Sequence, residues 1–360
     1  MSGSGAWPDP RFEALIGSRH PILLAPMAGA GGVELAVAAM EGGGAGALPC
    51  GLLDPEAVRE QVGEVRSRAD GPLNLNFFCH AMPADAEDGA WHELLSSLYR
   101  SYGLGDSPGE GPLRRPFDEA MCSAVEELKP EIVSFHFGLP DSDLLGRVRN
   151  AGCKVLATAT TVAEARRLAE RGVDAVIAQG FEAGGHAGRF LEESRPEEQM
   201  GLFALLPQIA DAVHVPVIAA GGIADGRGIA AAFTLGAAAV QIGTAYLLCP
   251  ESLIGGVHRA ALGDEAAERT AFTNLFTGGL ARGLPTRLTD DLGWIREEAP
   301  PYPLASAALL PIAKAANARG ETGFMPMWAG QAARLAAALP ARELTETLAR
   351  DALARLAPKA

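Results

Sequence analysis

Cysteine is sparse and unpatterned in this chain. The five residues Cys50, Cys79, Cys122, Cys153 and Cys249 are odd in number and scattered among 360 positions, and no two form a C-x-x-C pair. That spacing indicates neither a disulfide framework nor a zinc site, so no metal is expected and the cysteines read as small buried apolar residues. Positive charge is also in deficit: 30 Lys and Arg face 44 Asp and Glu, for a net charge of −14. Nucleic acid and anionic lipid require clustered cations, so both are argued against as partners, and an anionic substrate would need local attraction.

Long apolar runs are missing as well. The stretch Gly228 to Leu248 approaches the length of a membrane span, but Thr234, Gln241, Thr244 and several glycines interrupt it, and a helix, a turn and a strand account for it. The first ten residues show no basic region followed by an apolar one, so no secretion signal is visible and a cytoplasmic location is expected. No G-x-G-x-x-G joins a strand to a helix, and there is no P-loop, H-E-x-x-H or G-x-S-x-G, which argues against a Rossmann site, a zinc protease and a serine-elbow hydrolase.

What is present is glycine, 43 residues of it, and 48% hydrophobic residues in a regular alternation. Short apolar runs read as strands at Ile22–Ala25, Ala45–Leu48, Leu73–Phe78, Ile132–His136, Lys154–Thr158, Val173–Ile177, Val215–Ala220 and Ala239–Ile242. Helical segments separate them, among them Val33–Met40, Pro55–Ser67, Val162–Glu170, Leu202–Ala212 and Gly226–Leu235. Eight strands alternating with helices predict an α/β fold, a (β/α)8 TIM barrel. The barrel is expected over residues 1–249 plus about 331–360, with an insertion at about 79–116, a polar segment around Glu192 to Glu198, and a smaller, mainly helical cap at about 250–330 that carries Trp294, Tyr302 and Trp328.

In such barrels the carboxyl ends of the strands carry the chemistry, and loops after strands seven and eight often hold phosphate. The seventh run is followed by Gly221-Gly222 and the eighth by Gly243-Thr244, each loop expected to lead into a helix. Small residues there would turn backbone amides toward an anion without any Lys or Arg, which suits a phosphomonoester such as flavin mononucleotide. Ala25, Pro26, Met27, Asn76, Gln179 and Gln241 then become candidate cofactor contacts, while Asn76 and Gln179 read equally as caps of exposed strand ends. The glycine-rich run Gln179 to Gly188 contains Gly184, Gly185 and His186, which would bring an imidazole close to a ligand. His136, ending the fourth run, is a second candidate in the mouth or a support of the sheet end. His20 and His214 precede strands, and His80, His92 and His258 are expected at the surface.

Taken together, Ala25-Pro26-Met27, Asn76-Phe77-Phe78-Cys79-His80, the Gln179 to His186 element, Ala219 to Gly228, Gln241 to Thr244, Phe272-Thr273-Asn274 and Ala281-Arg282-Gly283 closely resemble the nitronate monooxygenase family over nearly the whole chain. Leu24, Ala187 and Pro285-Thr286-Arg287 depart from its usual pattern and bear on substrate preference. The resemblance implies an FMN enzyme that oxidises alkyl nitronates, and neutral nitroalkanes, with O2 to a carbonyl compound and nitrite. By position, His186 would be the base for neutral nitroalkanes or would hold the anionic nitronate, with Tyr302 beside the substrate. Related flavin barrels that reduce enoyl thioesters or quinones with NADH are the rival reading, and a non-catalytic FMN or phosphate binder is a third. A homodimer is compatible with the chain.

Overall fold

A computed structural model describes residues 6–84, 88–105, 111, 113–191 and 198–357. Parts of the expected insertion, and residues 192–197 of the polar segment, lie outside these. The strands are β1 (Ile22–Leu24), β2 (Gly46–Pro49), β3 (Leu73–Phe78), β4 (Ile132–His136), β5 (Lys154–Ala159), β6 (Ala175–Gln179), β7 (Gly185–His186), β8 (Val217–Ala220), β9 (Ala239–Ile242), β10 (Ala271–Thr273) and β11 (Ala281–Gly283). Eight of them form one parallel sheet in the order β1-β9-β8-β6-β5-β4-β3-β2. The ring closes between its ends through the Leu24 amide on Ala45 O at 3.0 Å and the Ala45 amide on Ile22 O at 2.9 Å. This is the TIM barrel the alternation predicts.

The helices are α1 (Arg11–Ile16), α2 (Val33–Glu41), α3 (Pro55–Arg68), α4 (Gly89–Tyr102), α5 (Glu119–Leu128), α6 (Ser142–Asn150), α7 (Val162–Glu170), α8 (Leu202–Ala212), α9 (Gly226–Thr234), α10 (Gly256–Gly263), α11 (Arg287–Leu292), α12 (Ala305–Ala318) and α13 (Ala341–Leu356). Local chemistry starts several of them. Asp54 accepts the Ala57 amide ahead of Pro55, Asp118 that of Met121, Asp141 that of Leu144, Thr161 that of Glu164 and Asp225 those of Arg227 and Gly228. Each such cap satisfies amides that have no partner inside the helix. No helix among the described residues is long and apolar enough to cross a membrane.

Side chains alternate across each strand. One set, including Leu23, Ile132, Leu156, Ile177 and Ile218, fills the barrel interior, where Phe12 and Ile16 of α1 close the lower end. The other set, including Val133, Val155, Val176 and Val217, packs under the helices.

Two strand starts and one expected helix differ most from the sequence reading. The sixth barrel strand starts at Ala175 because the Val173 amide still bonds Leu168 O, closing α7. The next starts at Val217, after Pro216, which has no amide to donate. No α-helix follows β9: Thr244–Tyr246 is a single 3-10 turn. The eighth position of the helical ring is taken instead by α13, which packs between α9 and α2 about a hundred residues later. Its fit depends on close approach. A Cβ on Gly226 would lie 2.7 Å from the Asp351 carbonyl carbon, one on Gly42 2.6 Å from Thr345 Cβ, and Tyr246 shares a 2.7 Å hydrogen bond with Thr345.

The cap is mainly helical, but it also holds a three-stranded antiparallel sheet, β10-β11-β7, that the sequence reading did not anticipate. Helix α4 of the insertion belongs to the same apolar cluster as α12: Trp91 Nε1 donates to Ala305 O and Tyr99 OH to Ala308 O. Because α13 sits against backbone at Gly226, we expect Gly226→Ala to force the helix outward and cost about 1–3 kcal/mol, measurable as a lowered denaturation midpoint with unchanged m value.

Candidate active site

The period of two that fills the barrel interior also aims the site. Above the apolar layer, the next inward positions are Asn76 and Phe78 on β3, His136 on β4, Thr158 on β5, Gln179 on β6 and Gln241 on β9, and all line a cavity of about 620 Å3 at the carboxyl ends of the strands. Ala25, Pro26 and Met27 enter it after β1, Gly221 and Gly222 after β8, Gly243 and Thr244 after β9, and Gly184, Gly185 and His186 from the glycine-rich run. Every sequence-designated site residue except Tyr302 lines this cavity. Tyr302 stands behind it, its ring 5.2 Å from that of His186.

The inward ring has divided duties. Asn76 donates to Ser134 O and Oγ at 3.2 and 2.9 Å. Gln179 Nε2 donates to His186 O at 2.9 Å and its Oε1 accepts the Gly188 amide at 2.8 Å, so its amide holds the loop that carries the histidine. His136, the weaker candidate, bonds Thr158 Oγ1 at 3.2 Å and His186 O at 3.1 Å, the geometry of a support for the loop. By contrast Gln241 Oε1 is buried with no hydrogen-bond partner, facing the cavity.

Gly221 and Gly222 adopt φ of +110° and +68°, a conformation side chains disfavour, at the start of α9. The expected second helix after β9 is absent, so the loop of Gly243 and Thr244 offers small residues without a helix dipole. Thr244 Oγ1 accepts the Gly330 amide at 2.9 Å, tying this loop to the cap. A backbone cradle of this kind, bare of cations, beside an unpaired amide oxygen fits a phosphate-bearing ligand with a hydrogen-bonding ring.

His186 lies in β7 and is held from two sides. Its Nε2 is 2.8 Å from Thr277 Oγ1 of the cap, and the Thr277 hydroxyl is 3.4 Å from Gly279 O. With that hydroxyl donating to Gly279, Nε2 carries the proton and Nδ1 is left as the basic nitrogen. Burial, then the Arg114 cation and His136 and His80, holds the imidazole well below its ordinary pKa, so its neutral form is favoured at pH 7. Burial brings His136 down to about 4.

Two expectations on histidine are corrected. His258 lines the cavity from α10, and burial lowers it to about 4. His80 is half-buried, its ring 4.7 Å from that of Tyr302. Only the fold of the insertion and cap over the barrel brings them in. Thr277, Arg114 and Trp328 were not singled out either; Thr277 sits in the run Phe272 to Gly279 that the family resemblance only partly quoted. Among the described residues no group of three or more His, Cys, Asp or Glu could hold a metal ion.

Residues 10–351 match the family model described as nitronate monooxygenase. The chain belongs to the nitronate monooxygenase family. It is 43% identical to a nitronate monooxygenase of Paraburkholderia phytofirmans over 94% of this chain and 93% of that protein, and 41% identical to one of Pseudomonas aeruginosa over 95% and 98%. Among solved structures, nitroalkane oxidase from Streptomyces ansochromogenes superposes with a TM-score of 0.86 at 37% identity, covering 96% of this chain and 98% of that one. FabK from Thermotoga maritima superposes with 0.74 at 28% identity, covering 96% of each. The family member described here is therefore an oxidoreductase.

Since His136 and His186 are held below their unfolded values, the folded chain binds fewer protons than the unfolded one in acid. Their contribution is complete above about pH 6.5, the ordinary histidine value, and falls away below it, that of His136 as pH approaches about 4 and that of His186 in the same direction. Thermal midpoints are expected to drop between pH 7 and 5, with a flatter slope in His136→Gln.

Proposed function

We propose that this protein oxidises alkyl nitronates, and more slowly neutral nitroalkanes, with O2 to a carbonyl compound and nitrite, using FMN and needing no NADH. The observation that carries this reading is His186 lining the cavity from the glycine-rich run, with its Nε2 held by Thr277 at 2.8 Å. Family membership and the relatives named nitronate monooxygenase and nitroalkane oxidase support the substrate class.

In this reading the amides of Gly221, Gly222 and Gly243, with Thr244, hold the phosphate. Gln241 contacts the polar edge of the ring, and Ala25, Pro26, Met27 and Asn76 border it. Gly184 and Gly185 let the His186 backbone come close, while Gln179 and His136 fix that backbone. Bound there, FMN supplies the electron-accepting chemistry that the oxidation requires. His186 removes the α-proton of a neutral nitroalkane at Nδ1, or holds a nitronate that arrives already ionised, and Tyr302 backs the imidazole. We also treat the barrel, 1–249 with about 331–360, and the cap, about 250–330, as two units; the cap's apolar cluster, which takes in α4 of the insertion, is separate from the one under the barrel helices.

A positioned base contributes about 10² to 10⁴ in rate, so His186→Asn is expected to lower kcat/KM for neutral nitroethane by that factor while the purified variant keeps its yellow cofactor. Unchanged nitroethane turnover would remove the role of His186. For the wild-type protein, nitronate-dependent O2 uptake with nitrite release is expected, and anaerobic bleaching by NADH without nitronate turnover would replace this reading with the reductase one.

A further inference from the structure

Arg114 stands in the wall of the cavity as a cation that nothing in the fold explains. It comes from the insertion, where the segment is pinned by the Phe117 amide on Phe78 O at 2.7 Å and by His80 Nε2 at 3.3 Å from Arg114 O. Its Nε is buried with no hydrogen-bond partner, and no carboxylate pairs with it among the described residues. Two more buried polar atoms without partners lie beside it, Tyr302 OH and His80 Nδ1, on rings 4.7 Å apart, and Tyr302 in turn packs on His186.

A desolvated guanidinium without a counter-ion is unfavourable, and burial accordingly presses its pKa down. An unsatisfied guanidinium in the cavity wall, next to a proposed base, is an arrangement that a ligand completes. In a chain of net charge −14 the ligand must carry the missing negative charge. A guanidinium presents two parallel N–H bonds that match a planar group with two oxygens. Resting on the nitronate reading above, we propose that Arg114 is the specificity-determining residue of this site: its guanidinium binds the two oxygens of the nitronate and so orients the carbon toward His186.

The test uses purified holoenzyme, wild type and the variants Arg114→Met and Arg114→Lys. Ethyl nitronate, a nitronate that also bears a carboxylate, and neutral nitroethane are the substrates; nitrate, an inert planar oxyanion, is titrated by calorimetry. Charge-assisted bonds of this kind are worth about tenfold to a hundredfold in affinity. Arg114→Met should weaken nitrate binding by that factor and lower the kcat/KM ratio of ethyl nitronate over nitroethane equally, mostly through KM, and Arg114→Lys should fall between. Because no ion pair is broken, the thermal midpoint of Arg114→Met should equal or exceed the wild type, whereas a structural arginine would lower it. Nitrate affinity and the substrate ratio both within twofold of wild type in Arg114→Met overturn the proposal, as does a loss confined to the carboxylate-bearing substrate. Should Arg114→Met not fold, the same comparison is read from Arg114→Lys. If wild type binds nitrate through Arg114 but oxidises no nitronate, the functional reading falls while the oxyanion assignment stands.

Discussion

A short antiparallel pairing joins the two parts of this molecule. Gly185 and His186 face Arg282 and Ala281 across β7 and β11, and the Ala187 amide extends the ladder to Leu280 O at 2.9 Å. Arg282 locks the junction. Its guanidinium lies between the rings of Phe181 and Phe272, at 4.5 and 4.3 Å, and donates to Phe181 O and Thr270 O, each at 3.0 Å. Burial lowers its pKa to about 10, which leaves it charged at neutral pH. A desolvated cation between two aromatic faces is worth up to about 2 kcal/mol. The same few residues thus form both the seam between barrel and cap and the mount for His186.

That seam explains the glycines of the loop. A Cβ on Gly184 would stand 2.5 Å from the Gly330 amide nitrogen, and one on Gly330 2.7 Å from Glu182 O. Two backbones cross there at a distance no side chain permits. Glu182, in the same run, accepts the Leu202 amide at the start of α8 at 2.8 Å, and its carbonyl accepts the Gln331 amide at 2.9 Å. The element that first reads as a ligand cradle is held by barrel, helix and cap at once, and its conformational freedom is spent on packing as well as on access.

Electrostatically the site is a local exception. Around it the surface carries an excess of carboxylates, some in exposed pairs such as Arg167 with Glu170 and Arg342 with Glu346, which contribute little individually. Inside, among the described residues, Arg114 Nε is buried without a hydrogen-bond partner, while burial holds His136, His186 and His258 below the ordinary histidine range.

Most of the barrel was legible in the chain because its signals are local: apolar runs of strand length, capping Asp and Thr residues, and the period of two that turns His136, Gln179 and Gln241 inward. The glycine pair after β8, Gly243-Thr244 after β9 and the Gln179 to His186 run were equally visible, since each is a contiguous stretch. What needed the tertiary structure was every contact between segments far apart in sequence. The partner of His186 is Thr277, ninety-one residues on, and His80 meets Tyr302 across more than two hundred residues. Alternation and capping depend on neighbours a few positions apart, so sequence alone determined the barrel and its active end. The company that His186 keeps depends on how the insertion and cap fold over that end, and no local pattern encodes it.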